Sequence, residues 1–439
     1  MRISVVTPTH DPRWLLPAYE SLKAQSHEDW EWVVVPNNFD QDSRIPCDAW
    51  VSFEDGSRGD VRVKVFHSPP FIRGRSVGAI KAFAFAQATG DVVLELDHDD
   101  LLHPHALGQC SNVFEGDTVD FAYSECADFS DPPGRPVTYH PPENRAAWAS
   151  EGWKFGSVDV PDSLLSEVKL TSLPYPITPT PSALGFALIM TAPNHFRAWR
   201  RSFYDRIGGH DPSLEVCDDH ELMIRTYLQG RGISKINKVL YFYRVNGANT
   251  WSANIPKIRQ MTEELRSKHL HALVAKECER RGLPAYDLGG AFDSPGSPWI
   301  GIDSSPGSTP VTADLTKPWP FADSSVGAFR AFDFLEHIKD KQWVMSEIYR
   351  CLAPGGWLLS CTPHALGDGA HQDPTHVSYW VENSFRYYTE ACLARYIRNE
   401  DKRFMAVRLY KDNGPIPYVI FDGVSLKDDK GYLPGRRGI

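Results

Sequence analysis

A chain of 439 residues exceeds what one ordinary core covers and predicts two or three domains. Its composition, 42% hydrophobic and 23% charged, is that of a globular protein, and no apolar run is long enough to cross a bilayer. A net charge of -10 disfavours phosphate backbones and so nucleic acid as a partner, while eight scattered cysteines without a C-x-x-C pair suggest neither a disulfide framework nor a zinc site.

The first elements alternate. Met1 to Val6 opens a strand too short for a signal-peptide core, so a cytoplasmic location is expected. Ile3 to Pro8 reads as a buried strand ending in Thr7-Pro8-Thr9-His10. Trp14 to Gln25 has Leu15, Leu16, Tyr19 and Leu22 at helical spacing. Trp32 to Val35 is a second buried strand, with Asn37-Asn38-Phe39-Asp40 at its carboxyl end. Val61 to His67 is a third, and Gly74 to Ala88 a loop and helix. This order predicts a mostly parallel sheet with helices on both faces, whose ligands bind beyond the carboxyl ends of the strands. Thr7 to His10, Asn37-Asn38 and Asp97 to Asp100 all sit at such ends and are expected to converge.

The stretch Leu94-Glu95-Leu96-Asp97-His98-Asp99-Asp100-Leu101-Leu102 carries the most chemistry. An apolar run broken only by Glu95 delivers three carboxylates in four residues, and a helical pattern follows. Carboxylates this close raise one another's pKa unless a cation or donors compensate. A hard divalent metal does so naturally, because it takes oxygen ligands and shares them with substrate phosphates. Asp97 and Asp99 point to the same side of the strand-to-loop turn. The same residues would also serve as a polar turn, with Asp99 or Asp100 capping the next helix.

These blocks resemble a family 2 glycosyltransferase of the GT-A fold. The matching stretches are ISVVTPTHD, SLKAQSHEDWEWVVV, KAFAFAQATGDVVLELDHDDLLHPHAL, IGGHDPSLEVCDDHELMIRTYLQG and LYFYRVNGANTWS, in order over about residues 1–252. The resemblance implies a nucleotide-sugar donor, a divalent metal (Mn or Mg) and inversion at the anomeric carbon. It places Thr7, Pro8, His10 and Asn37 around the nucleotide, and Lys81 and Asp97 toward the donor. Asp99 becomes the metal ligand and Asp219, in Asp218-Asp219-His220-Glu221, the catalytic aspartate. A bound cation would neutralise the leaving diphosphate, and a carboxylate on the opposite face would take the acceptor's proton. Asp218-Asp219 would equally cap a helix from Glu221 to Leu228. Two positions depart from the family: Pro36-Asn37-Asn38-Phe39 stands where Asp-Asp-Gly-Ser is frequent, and Asn246 stands where a histidine helps hold the metal. Phe121 to Arg200 is irregular and aromatic, suited to framing an acceptor or to ordinary core packing.

Ile255 to Arg281 is charged with helical period and reads as a connecting helix. Strands follow at Trp299 to Ile302, Val326 to Phe332 and Trp357 to Cys361, with a helix over Trp343 to Leu352. The blocks Leu288-Gly289-Gly290-Ala291, Asp303, Trp319-Pro320-Phe321-Ala322-Asp323, Leu335-Glu336-His337 and Leu352-Ala353-Pro354-Gly355-Gly356 resemble a class I S-adenosylmethionine-dependent methyltransferase of the methyltransferase-11-like type. By that resemblance Gly289, Asp303, Asp314 and Asp333 line the cofactor, with Ala291 in place of the loop's second glycine. His371 to His376 adds two histidines and an acid near the methyl acceptor's place, or caps the pocket.

The expected fold class is therefore α/β: a GT-A domain over 1–254, Rossmann-like with a mostly parallel sheet, and a Rossmann-like class I methyltransferase domain over 283–425. A connecting helix spans 255–282 and a polar tail 426–439. The expected function is metal-dependent inverting transfer of a sugar to a glycan, protein or other hydroxyl-bearing acceptor. The second domain would methylate the sugar or acceptor, or act as an inactive docking or dimerising module.

Overall fold

The computed structural model describes residues 1–37, 47–69, 72, 76–131, 154–188, 193, 195–245, 250–291, 295–398 and 403–427. They form two compact units, Met1–Pro181 with Ile189–Lys268, and Ser182–Leu188 with His269–Ile439.

The first unit is built on strands β1 (Ile3–Thr9), β2 (Trp30–Pro36), β3 (Val63–Val65), β4 (Val92–Glu95), β5 (Leu101–Leu102), β6 (Phe121–Ser130), β9 (Arg197–Arg200) and β10 (Ile233–Val245). A separate hairpin pairs β7 (Phe155–Asp159) with β8 (Ser172–Pro176). The large sheet runs β3-β2-β1-β4-β9-β6-β10-β5. Its first four strands are parallel, and their centre is apolar on both faces, as a covered parallel sheet requires. Leu15, Ala18, Tyr19 and Leu22 of the helix Leu15–Lys23 form one stripe in the core with Val5, Trp32 and Val34.

Beyond β4 the alternation gives way. β9 lies antiparallel to both β4 and β6, and β5 antiparallel to β10. Leu94 pairs with Ala198, so the register carries Glu95 alongside Arg197. Leu101-Leu102, expected to lead into a helix, instead pairs with Tyr241 and Phe242; the helix starts at Ala106. The third strand is shorter than its β-branched run suggests, because Val61 is exposed and only Val63–Val65 finds a partner.

The second unit orders its strands β13-β12-β11-β14-β15-β17-β16. They are β11 (Ala285–Leu288), β12 (Trp299–Asp303), β13 (Val311–Thr312), β14 (Val326–Phe332), β15 (Leu352–Pro363), β16 (Arg403–Asp412) and β17 (Tyr418–Leu426). The five strands from β13 to β15 are parallel in the doubly wound order, and an antiparallel pair closes the edge. Pro354-Gly355-Gly356 is not a turn ahead of a strand but a bulge inside β15, with Gly355 at φ 70.

The long helix spans Thr250–Arg281, with non-helical backbone at Asn254 two residues before Pro256. It is divided between the units at Lys268, so the expected boundaries at 254 and 282 fall on either side of that division. No described helix is long and apolar enough to cross a membrane, and the seven cysteines from Cys110 to Cys392 are free.

Candidate active site at the carboxyl ends of the first sheet

The aspartate loop is held from β10. The Tyr241 hydroxyl donates to Asp100 Oδ2 at 2.7 Å and accepts the Asp97 N–H at 3.0 Å. Arg244 gives its backbone N–H to Asp100 Oδ1 at 2.6 Å and its Nε to the Asp99 carbonyl at 2.7 Å. Its guanidinium lies 4.1 Å from the Trp14 ring centre and 4.6 Å from that of Phe129. Asp100 is thus a buried tie. None of the aspartates caps the next helix, whose N-cap is His105.

Burial drives the Asp100 carboxyl well above its ordinary range, and the charges of Asp99 and Asp97 add to this. Burial and Asp97 raise Asp99 as well, against the pull of His98. These are the conditions a divalent cation relieves. Ligand atoms of Asp97, Asp100 and His195 lie within 4.8 Å of one another. His195 Nε2 is 3.7 Å from Asp97 Oδ2, its Nδ1 is buried without a hydrogen-bond partner, and burial with Arg197 lowers its pKa to about 4. Carboxylate oxygens beside a neutral imidazole fit a divalent cation. Asp99 is outside this converging group, and Asn246 lies outside the described residues.

A second cluster sits beside the loop. Glu95 at the end of β4 meets Arg197 Nε at 2.7 Å, Lys81 Nζ at 3.0 Å and His210 Nε2 at 3.1 Å. Arg197 reaches on to Asp219 Oδ2 at 2.9 Å, while Lys81 and His210 approach Asp218 at 3.5 and 3.7 Å. The Tyr204 hydroxyl and His210 Nδ1 are 2.7 Å apart. Burial works against ionisation at Glu95, but Arg197, Lys81 and His210 outweigh it and hold the carboxyl well below its usual range.

Asp218 and Asp219 are the first two residues of the helix Asp218–Gln229 rather than its cap. That place belongs to Cys217, in left-handed backbone at φ 60 with no side-chain capping bond. Their environments separate them. Arg197, followed by Lys81, outweighs burial and keeps Asp219 strongly ionised, whereas burial raises Asp218 against the pull of Lys81. The Asp219 side chain is also the more open, at 23% exposure against 6%.

The other sequence candidates divide into those under the site and those at its rim. Thr7 is fully buried; its hydroxyl donates to the Leu96 carbonyl and accepts from Trp32 Nε1, both at 2.8 Å, so it braces strands instead of facing a ligand. Lys81 is turned inward onto Glu95 and Asp218, neither solvated nor directed outward. Pro8 pairs in register with Val35, and Asn37 N donates to the Thr9 carbonyl at 2.7 Å, which brings both to the expected edge. His10 is exposed and packs edge-on against His98, with ring centres 4.8 Å apart.

Glu95, His195, Arg197 and His210 were not among the sequence candidates. The alternation of polar His195 and Arg197 with core residues Phe196 and Ala198 was the available signal, since period two puts the polar pair on one face.

At the corresponding edge of the second unit the expected cofactor residues are occupied locally. Gly289 and Gly290 both donate their N–H to the Ile302 carbonyl, at 2.9 and 3.2 Å. Gly289 adopts φ 71 with Phe334 close by, which suits glycine. Asp303 accepts the Ser305 N–H at 2.7 Å. Asp314 is exposed; hydrogen bonds from Thr316 and Lys317 bring its pKa to about 2. Asp333 is exposed with φ 46, and its N–H bonds the Cys361 carbonyl at 2.9 Å. Only residues 289–298 link parallel β11 to β12, and no helix is found among the described ones. A Rossmann-like site normally has a helix there, with its N-terminus at the cofactor. The residues present therefore fit S-adenosylmethionine only in part.

Comparison with known proteins follows the same division. Residues 4–207 match the family described as Glycosyl transferase family 2, and residues 299–360 match the family described as Methyltransferase domain, beginning past the glycine loop. An uncharacterized glycosyltransferase of Nostoc sp. is 32% identical over 120 residues, which are 27% of this chain and 34% of that protein. The O-antigen biosynthesis protein RfbC of Myxococcus xanthus is 26% identical over 272 residues, 60% of this chain and 18% of that one. The chain thus spans about a third or less of the curated relatives it matches. Among solved structures, TarS of S. aureus in complex with UDP is 17% identical with a TM-score of 0.42, covering 64% of this chain and 70% of that one. The mannosyltransferase PcManGT of Pyrobaculum calidifontis, in complex with GDP-Man and Mn2+, is 15% identical with a TM-score of 0.38, covering 63% and 64%. The chain thus joins a region similar to Glycosyl transferase family 2, residues 4–207, to a region similar to Methyltransferase domain, residues 299–360.

Proposed function

We propose that the first unit transfers a glycosyl group from a nucleotide-sugar donor to an acceptor hydroxyl, with inversion, and that Asp219 is the base. The supporting observation is the meeting of Asp219 with Arg197 at 2.9 Å, beside Glu95 and the aspartate loop, at the carboxyl end of β4. Asp97 and His195, whose ligand atoms converge, would hold a divalent cation, Mn or Mg, and Asp99, the ligand that the resemblance implies, would have to turn toward it from outside that group. Such an ion, when bound, offsets charge on the leaving diphosphate. Arg197 keeps Asp219 deprotonated and oriented, and the greater exposure of Asp219 leaves it able to receive the acceptor's proton. Asp218, drawn inward by Lys81 and His210, supports the cluster. Residues 1–254 carry this activity, and the acceptor is a glycan, protein or other hydroxyl-bearing molecule.

The test is a screen of nucleotide sugars for hydrolysis that requires Mn2+, followed by donor titration of Asp99→Asn. The variant should lose metal-dependent donor binding, since an amide is a poorer ligand and carries no charge. Unchanged donor affinity in Mn2+ would refute the role given to Asp99.

For residues 283–425 the short β11–β12 connection favours the second reading, a methyltransferase fold acting as a docking or dimerising module with an abbreviated S-adenosylmethionine site. Were the cofactor bound, it would supply a methyl group, and Gly289 and Asp303 would be the residues closest to the family's pattern. Calorimetric titration of the whole protein with S-adenosylmethionine separates the readings.

A further inference from the structure

We propose that Glu336, His337 and His376 form a site for a divalent transition-metal ion in the second unit, separate from the aspartate loop and independent of the sugar-transfer reading. The three residues lie just past β14 and in the segment after β15, at the ligand-binding edge of a parallel sheet. Their ligand atoms fall within 4.8 Å of one another.

Each ligand is already prepared. Glu336 is 1% exposed; its Oε2 accepts from the Thr362 hydroxyl at 2.7 Å, and its Oε1 is buried with no hydrogen-bond partner. A carboxylate oxygen in that position has lost its water without replacement, which is costly unless something charged is meant to fill the gap. His337 Nδ1 lies 3.2 Å from the Thr375 carbonyl, and His376 Nδ1 lies 3.3 Å from the Ala370 carbonyl. A carbonyl only accepts, and the Thr375 hydroxyl 3.1 Å from His337 Nδ1 already donates to Asp373 at 2.6 Å, so each Nδ1 is the donor in these contacts and each Nε2 is the nitrogen left for an ion. This backbone anchoring is the usual way a ligating histidine is oriented.

The spacing fits an ion better than a direct bond. His376 Nε2 is 4.0 Å from Glu336 Oε1, too far for a hydrogen bond and about half an ångström wider than two ligands about 2.1 Å from one tetrahedral centre, so a small side-chain movement would close them on an ion. The His376 segment is tied down: Val377 and Ser378 donate their N–H groups to the Glu336 carbonyl at 2.8 and 3.0 Å, and Ser378 Oγ bonds the Leu335 carbonyl. Two imidazoles and one carboxylate leave coordination positions open, so the ion would also take oxygen donors from a hydroxylated ligand.

The whole protein, stripped with chelator, is titrated with Zn2+ and with Mn2+ by calorimetry, and its metal content is measured after dialysis. The double variant His337→Ala/His376→Ala should lose one equivalent of metal relative to the parent. Glu336→Gln, which keeps an acceptor for Thr362, should weaken that equivalent by roughly tenfold or more, and Thr362→Val should weaken it with all three ligands in place. Asp97→Asn should leave it intact, which separates this site from the aspartate loop. Parental stoichiometry and affinity in both the double variant and Glu336→Gln would overturn the assignment, as would loss of all bound metal in Asp97→Asn.

Discussion

The carboxyl edges of the two parallel sheets treat their polar groups in opposite ways. In the first unit, side chains from five segments converge: Lys81, Glu95, Arg197, His210 and Asp218-Asp219 meet across the end of β4. In the second, Gly289, Asp303 and Asp314 close on their own neighbourhood, while Asp333 meets a distant partner in Tyr418. The glycine amides turn to Ile302, Asp303 to Ser305, and Asp314 to Thr316. A motif marks a working site only where its groups are left facing outward or are held by partners from elsewhere in the fold. By that criterion Asp97 and Asp219 are the groups that support the proposed site in the first unit, and Glu336 with its two histidines the proposed site in the second.

The largest test of the contrast is Arg197→Met. It would leave Glu95 and Asp219 buried beside each other without their shared cation, a loss on the order of 3–5 kcal/mol in denaturant unfolding. Both carboxyls titrate below their ordinary values while paired. Their contribution is therefore present above about pH 4 and fades as pH falls, so the variant's deficit should shrink in acid. A deficit under about 1 kcal/mol at neutral pH would mean that the cluster is not coupled as described.

Next in size is the proposed base. Asp219→Asn should bind donor normally but transfer sugar roughly a hundredfold or more slowly, while Asp218→Asn loses less. Equal rates for Asp219→Asn and the parent would remove Asp219 from the chemistry. Thr7→Val sharpens the distinction between bracing and binding. It should lower stability by about 2 kcal/mol, through the unpaired Trp32 indole and Leu96 carbonyl, with donor affinity unchanged. Reduced donor affinity at full stability would return Thr7 to the ligand.

The smallest signal is expected in the second unit, where S-adenosylmethionine should give no saturable heat below about 1 mM, equivalent to about -4 kcal/mol. A saturating isotherm that Asp303→Ala abolishes would instead establish the cofactor site.

The parallel core and the strand ends bearing Thr7, Asn37 and Asp97 were legible because period, apolar runs and turn residues are local properties. So was the helix carrying Asp219, although its first turn begins three residues earlier than its apolar pattern. Arg197 and His195 were not legible, because their role depends on an antiparallel strand inserted between β4 and β6, and the strand-helix alternation gives no hint of that insertion. Glu95 was visible as a break in an apolar run, but two of its partners, Arg197 and His210, lie more than a hundred residues further on. The abbreviated β11–β12 connection was hidden for the opposite reason: Leu288-Gly289-Gly290 fits the methyltransferase pattern, and only the distance to the next strand shows that too little chain follows to build the helix.

Tyr241 and Arg244 have one more consequence. They fix the aspartate loop through Asp100, the Asp97 amide and the Asp99 carbonyl, so none of these bonds occupies the carboxylate of Asp97. The loop therefore reaches its ligand-ready shape during folding. An ion bound as proposed would meet a preorganised receptor, and little ordering entropy would be subtracted from its affinity. Tyr241→Phe should consequently leave every proposed ligand in place yet slow metal association, because the loop would then have to find its shape after the ion arrives.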